Sequence, residues 1–334
     1  MTATEPQERR QYFMTAMREG LQEALREDPR VVILGEDVDR GVIGATSRLI
    51  REFGPDRIRN TPISEAALVG SCVGAAAVGA RPVVDLMYSS FLYVAMDQLA
   101  NQAAKLRYMS GGQVSLPIVY FANTGPSGGA AAQHSEAPHP MLMNLAGVKV
   151  VMPSSPHDAK GLILSAIRDP NPVVYLQDGM LAGVKDAVPD GAYSIPLGTA
   201  EVKREGADIT VVAVGVLVRE ALKVAEELAP QGISVEVVDP RTLAPLDMDT
   251  IYDSVAKTRR LVVADNARIT CSLASEITAA VSENMFDTLL TAPRRVAMRN
   301  VPMPFAPELE STVTVNARNI REAVLNTINS GGKR

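Results

Sequence analysis

The sequence predicts an α/β protein built as two domains with parallel sheets. Apolar runs too short for helices, such as Val31-Val32-Ile33-Leu34 and Ile209-Thr210-Val211-Val212-Ala213-Val214, recur along the chain; strands buried on both faces of a parallel sheet have this composition. Segments of helical period separate these runs, and that alternation indicates βαβ units. The chain of 334 residues is also too long for a single core of ordinary size.

Taken in order, Phe13, Met17, Leu21 and Leu25 recur every four residues and predict a first helix over residues 7–26. A strand follows at 31–34, ending at Gly35-Glu36-Asp37, then a short helix at 47–53 and a strand ending in Asn60-Thr61-Pro62. Ser64 stands as an N-cap before a charge-free run of small residues, 66–80, which reads as a helix buried all round. A strand at 82–87, one long helix at 90–108 and a strand at 116–121 come next, followed by a Gly/Pro-rich loop at 123–133. A strand at 148–152, a helix at 156–168 and a strand at 173–176 complete the first domain. Residues 177–198 show no sustained period and read as a linker, which divides the chain into domains at 1–185 and 199–330. In the second domain the expected strands are 209–214, 234–238 and 261–264. Its helices are a segment carrying Val218, Leu222, Ala225 and Leu228, then 247–257, 272–284 and 317–329, with 330–334 frayed.

A net charge of −5 gives no reason to expect nucleic acid or an anionic membrane as partner. Cys72 and Cys271 have no metal-ligand spacing and read as reduced thiols. The opening residues lack the apolar core of a signal peptide, and the 66–80 run falls short of a membrane span, so a cytoplasmic protein is expected. There is no phosphate loop, dinucleotide fingerprint or HExxH motif. The chemistry must then come from polar groups at strand ends. Glu65, at the start of an apolar helix, is either a charge complementing the helix dipole or a shielded carboxylate for proton transfer. His134 is either an ordinary surface histidine or a binding residue delivered by the glycine-rich loop, with His139 near the same place. His157, at a helix start, reads as structural.

Several motifs occur in order along nearly the whole chain. They are NTPISE at 60–65, Phe91 followed by Asp97-Gln98, KLRYMSGG at 105–112, AAQHS at 131–135, DAKGL at 158–162 and VDPRTLAPLD at 238–247. Together they resemble the β subunit of the thiamine-diphosphate-dependent first component of 2-oxo-acid dehydrogenase complexes, most closely the pyruvate and acetoin types. The resemblance implies a pyrimidine-binding domain followed by a transketolase C-terminal domain. It implies that Glu65 hydrogen-bonds the aminopyrimidine of thiamine diphosphate and promotes the imino tautomer, whose nitrogen takes the thiazolium proton. Ile63 and Phe91 would join it in binding the cofactor, and His134 would assist at the substrate as the acyl group passes to a lipoyl arm. Potassium would be held by carbonyls and a carboxylate at Ile118, Ala166, Asp169 and Asn171; the same residues also read as a plain helix-to-strand turn.

The family's magnesium motif, Gly-Asp-Gly, is absent from the sequence. The resemblance therefore places the diphosphate and magnesium on a separate α subunit, in an α2β2 assembly that a lipoyl acyltransferase would serve. One segment departs from the family: Asn144 and Ala146 stand where it has a second histidine and a proline. That leaves rival readings open, a split transketolase or acyloin-forming carboligase with an aldehyde or sugar acceptor, or a docking subunit without catalysis.

Overall fold

A computed structural model describes residues 9–126 and 128–330. The first helix, Phe13–Glu27, buries Phe13, Met17, Leu21 and Leu25. It packs on the helix Pro156–Arg168, where a Cβ on Gly20 would lie 2.5 Å from Ile163. The helix starts at Phe13 because Arg10–Tyr12 forms a strand paired antiparallel with Lys185–Ala187. The Lys185–Ala187 strand lies inside the expected linker, which also holds a short 3-10 turn, Gly179–Leu181. Strands of three residues carry no readable period. The expectations for residues 7, 8 and 331–334 fall outside the described residues.

The larger sheet has seven strands in the order Thr242–Ala244, Lys149–Val151, Val173–Asp178, Val119–Thr124, Arg81–Tyr88, Val31–Gly35, Ile58–Asn60. All pairings are parallel except that of Thr242–Ala244, which comes from the second half of the chain and closes the edge antiparallel to Lys149–Val151. The smaller sheet has five strands, Arg294–Met298, Leu261–Arg268, Ile209–Ala213, Val235–Asp239 and Glu201–Arg204, the last antiparallel. One apolar cluster joins the sheets: Val84, Tyr120 and Val174 belong to the same buried group as Val212, Val263, Leu273 and Ile277. A second cluster lies under the Phe13 and Pro156 helices, and a third under the helices Val216–Leu228 and Ala317–Ser330.

Two expectations for helices are corrected. Residues 90–108 form three segments, a 3-10 helix Ser89–Ala95, a π-helix Gln98–Ala103 and a short α-helix Leu106–Met109. The buried positions Leu92, Ala95, Leu99 and Ala103 still make one stripe; the backbone meets it by tight and then wide turns. The helix Glu65–Ala77 is not buried all round. It buries Leu68, Val69, Cys72, Val73 and Ala76, while Ala67, Ser71, Gly74 and Ala77 face outward along one side. Small apolar residues satisfy a core and an interface equally, so composition could not separate the two.

Gly147 has φ +101°, and a Cβ there would lie 1.9 Å from the carbonyl oxygen of Ala104. Gly111, at φ +64°, has nothing within 4 Å. We expect Gly111→Ala to cost about 1 kcal/mol of backbone strain, and Gly147→Ala to cost several times that because backbone must move. Thermal melting of the two variants side by side tests this; equal midpoints would remove the steric argument.

Candidate active site

The parallel strands of the larger sheet deliver their carboxyl ends to one edge. Glu36 follows Val31–Gly35, and the 61–64 turn after Ile58–Asn60 leads into Glu65. Phe91 follows Arg81–Tyr88, and beyond Val119–Thr124 the short helix Ala131–His134 ends at His134. Gly35 allows close approach here, since a Cβ on it would meet the Asp85 carbonyl oxygen at 2.5 Å. The Arg81 strand breaks register between Asp85 and Tyr88, and Met87 takes a left-handed φ of +54°.

Three carboxylates gather at this edge. Glu65 is half-buried at the first helical position and has no hydrogen-bond or ion-pair partner among the described residues. Burial raises Glu36 above the usual carboxylate range, and the negative charges of Glu65 and Asp37 add to the rise. Asp85 is fully buried, which pushes it up to about 7; the 2.9 Å bond it accepts from Met87 N opposes the rise and the Glu36 charge adds to it. Neither Glu36 nor Asp85 was marked as functional in the sequence, although a charged residue inside the apolar run Val83-Val84-Asp85-Leu86 was the available signal.

An aromatic trio stands beside them. The His134 ring lies edge-on to Tyr88 at 4.5 Å and to Phe91 at 5.5 Å, and these two rings meet at 5.8 Å. Ser89 Oγ donates to Glu136 O at 2.9 Å and Gly125 N to the same oxygen at 2.9 Å; Ser90 Oγ bonds Gln133 O. The structure thus brings Phe91 and His134 into one cluster, with Glu65 on the same sheet edge. Ile63 is 80% exposed just before Glu65. His139 does not share the site: it is fully buried, and its Nε2 lies 2.7 Å from Asp265 Oδ1. Despite its own burial, Asp265 is held below the usual carboxylate range by the charge and hydrogen bond of His139. His157 stacks on Tyr193 at 4.9 Å.

The Asp169 turn lies at the opposite end of these strands. Asp169 Oδ1 accepts from Asn171 N and Nδ2, both at 2.9 Å, and Oδ2 bonds the Lys149 ammonium. The Ile118 carbonyl accepts from Val173 N at 2.9 Å, and the Ala166 carbonyl from Asp169 N at 3.3 Å. The Asp169 carboxylate and the Ile118 and Ala166 carbonyls therefore already have partners within the chain. Of the two departures noted in the sequence, Ala146 accepts from Lys105 Nζ at 2.5 Å, and Asn144 is exposed in a groove of about 920 Å³ between the domains.

Residues 11–178 match the pyrimidine-binding domain of transketolase and residues 198–320 its C-terminal domain. The chain is 42% identical over 328 residues to the beta subunit of acetoin:2,6-dichlorophenolindophenol oxidoreductase from Cupriavidus necator, covering 95% of this chain and 97% of that one. To the pyruvate dehydrogenase E1 component subunit beta of Rhizobium meliloti it is 40% identical, covering 92% and 68%. The chain belongs to the β-subunit family of the thiamine-diphosphate-dependent 2-oxo-acid and acetoin dehydrogenases. A 2-oxoisovalerate dehydrogenase subunit beta of Bacillus subtilis is 39% identical over 93% of this chain and 97% of that one. A solved structure titled split gene transketolase, inactive beta4 tetramer, superposes with a TM-score of 0.80 at 25% identity, over 96% of this chain and 99% of that chain. The acetoin, pyruvate and 2-oxoisovalerate relatives are each named as a beta subunit. No helix among the described residues is long and apolar enough to cross a membrane.

Asp85 keeps its proton in the folded state up to about pH 7, whereas an unfolded aspartate loses it near 3.8. The folded state therefore binds more protons between these values, and Asp85 makes stability fall as pH rises through the window. Asp178 and Asp239, which burial pushes up to about 6 and about 7, act in the same direction. Asp85→Asn retains an acceptor for Met87 N, and its melting temperature should fall less steeply than wild type between pH 5 and 7.5. Parallel curves would mean that Asp85 ionises normally.

Proposed function

We propose that this chain supplies the pyrimidine-side half of an active site that an α subunit completes, in an α2β2 enzyme acting on a small 2-oxo acid or acetoin. The observation that supports this best is the Glu65 carboxylate, half-buried, unpaired among the described residues and crowded by Glu36. A carboxylate in such a position is suited to a partner brought from outside the chain. The residues present fit the aminopyrimidine of thiamine diphosphate: Glu65 would accept its hydrogen bond and exchange a proton with it, and Phe91 and Ile63 would pack on the ring. The bound cofactor supplies the electron sink for decarboxylation, while protein groups position it and move protons. Magnesium and the diphosphate belong to the α subunit in this reading, because the chain has no Gly-Asp-Gly motif.

His134 is the proton-carrying group on the substrate side. Its ring is fixed against Tyr88 and Phe91, and an imidazole near neutrality hands a proton to an arriving or departing group. The acceptor of the acyl group would be the lipoyl arm of an acyltransferase. Asn144 in place of the second histidine favours attention to the rival acceptor, an aldehyde or sugar, as in a carboligase. Transfer to lipoamide against ligation to an aldehyde, assayed on the same preparation, separates the two. Potassium would enter the Asp169 turn only by displacing Lys149 from the carboxylate.

In the αβ enzyme, Glu65→Gln keeps size but removes the basic oxygen. Exchange of the thiazolium proton, followed by NMR in deuterium oxide, should slow by about 10²–10⁴-fold while assembly persists. Wild-type exchange would return Glu65 to a helix-end charge. The chain without its partner should be inactive and bind thiamine diphosphate more weakly than about 10 μM, a standard free energy near −7 kcal/mol. Calorimetric titration of the isolated chain checks this, and tight binding would overturn the half-site reading.

A further inference from the structure

The segment that carries His134 is gripped from the second domain at both ends. At its start stands Glu310, a buried carboxylate in the helix Pro307–Val313. Gly128 N donates to Glu310 Oε1 at 3.2 Å and Gly129 N to Oε2 at 2.7 Å. The two glycines have φ of +69° and +84°, so their consecutive amides converge on one anion, a backbone nest. At the far end Arg268, closing the strand Leu261–Arg268, donates from Nη1 and Nη2 to the two oxygens of Glu136 at 2.7 and 2.8 Å. Such a paired fork fixes orientation as well as distance.

His134 lies between these anchors. Among the described residues, the bonds that its own domain makes to the segment come from neutral groups, Ser89, Ser90, Tyr93, Thr124 and the Gly125 amide. The charged bonds come from the second domain. Between the nest and His134, Ala131 is held at a φ of +58°; a non-glycine residue keeps that conformation only where its surroundings over-determine it.

We propose that Glu310 and Arg268 are positioning residues for His134, so that the second domain sets the catalytic geometry of the first. This rests on the reading of His134 as the substrate-side proton carrier. A displacement of the imidazole by an ångström suffices to impair transfer. The clamp acts first on placement: of the cofactor contacts assigned to this chain, Glu65 and Ile63 lie outside the segment, and Phe91 meets it through the His134 ring.

The test uses the reconstituted αβ enzyme with pyruvate and acetoin as probes, and Glu310→Gln as the first variant. The amide keeps its size but sets an N–H donor against a backbone N–H. Turnover should fall about ten- to a hundredfold, with KM, thiamine diphosphate affinity and the thermal midpoint of the assembly near wild type. In a His134→Ala background the same change should cost less than about twofold more, because both act through one group. Gly129→Ala approaches the contact from the other side, straining the nest while leaving the carboxylate in place; a Cβ there meets only the Phe305 carbonyl at 3.9 Å. It should reproduce the turnover-selective loss, and it decides the matter should Glu310→Gln fail to assemble. Unchanged turnover in these variants overturns the clamp, as does a loss of equal size with and without His134, or a loss that tracks the thermal midpoint. Full turnover in His134→Ala alone would instead remove the reading of His134.

Discussion

The strand Leu261–Arg268 ends in polar residues on which the first domain is seated. Asp265 meets His139, Asn266 Nδ2 donates to Asp178 Oδ2 at 2.9 Å, and Arg268 takes Glu136. His139, Asp178, Asp265 and Asn266 are essentially shut off from water. An unpaired charge in that setting costs several kcal/mol, so each domain satisfies its buried polar groups only when the other is in place. Asp178 also accepts from Val216 N at 3.1 Å and so holds the start of the helix Val216–Leu228. A second polar knot ties the far side of the junction. Ser154 Oγ donates to Asp239 Oδ2 at 2.5 Å, Lys203 reaches Asp158 at 3.0 Å, and Arg241 lies 3.6 Å from Asp158. The strand Thr242–Ala244 follows immediately and adds itself to the larger sheet. With the shared apolar cluster, these contacts join the two sheets.

The same economy explains the face of the helix Glu65–Ala77. Its buried side packs into the apolar cluster that joins the sheets. Its outward side is a run of alanine, serine and glycine that a second backbone can approach closely. Exposed Ile63 and Glu65, whose carboxylate has no partner among the described residues, lie at its head. The α partner proposed above would need such a surface, since groups that bind a shared cofactor must be reachable before assembly and enclosed after it.

The parts of this architecture written in local pattern were legible in the sequence. Parallel strands announce themselves as Val/Ile runs, Glu65 as a carboxylate opening an apolar helix, and His134 as the end of a glycine-rich loop. What escaped is what depends on residues far apart. Nothing local in Glu310 or Arg268 points to partners at Gly128, Gly129 and Glu136, and Thr242-Leu243-Ala244 becomes a strand only because Lys149–Val151 offers an edge. His139 sits close to His134 in sequence, yet the turn at Pro138 sends it inward to Asp265. The buried stripe Leu92, Ala95, Leu99 and Ala103 has the spacing of an ideal helix, so the irregular turns between Ser89 and Met109 left no mark in the pattern.

Strain and buried carboxylates occur together around the aromatic trio. Met87 and Ala131, the two non-glycine residues at positive φ nearest the trio, precede Tyr88 and His134. Conformations of this kind cost about 1–3 kcal/mol each. Beside each stands a buried carboxylate bonded to the backbone, Asp85 to Met87 N and Glu310 to Gly128 N and Gly129 N. These bonds act at or within a few residues of the point where the chain departs from its preferred conformation. Tyr88 and His134 are therefore placed by acids that touch neither ring, one in the first domain and one in the second. That arrangement ties ring geometry to the junction between the domains, and so to the polar end of the strand Leu261–Arg268.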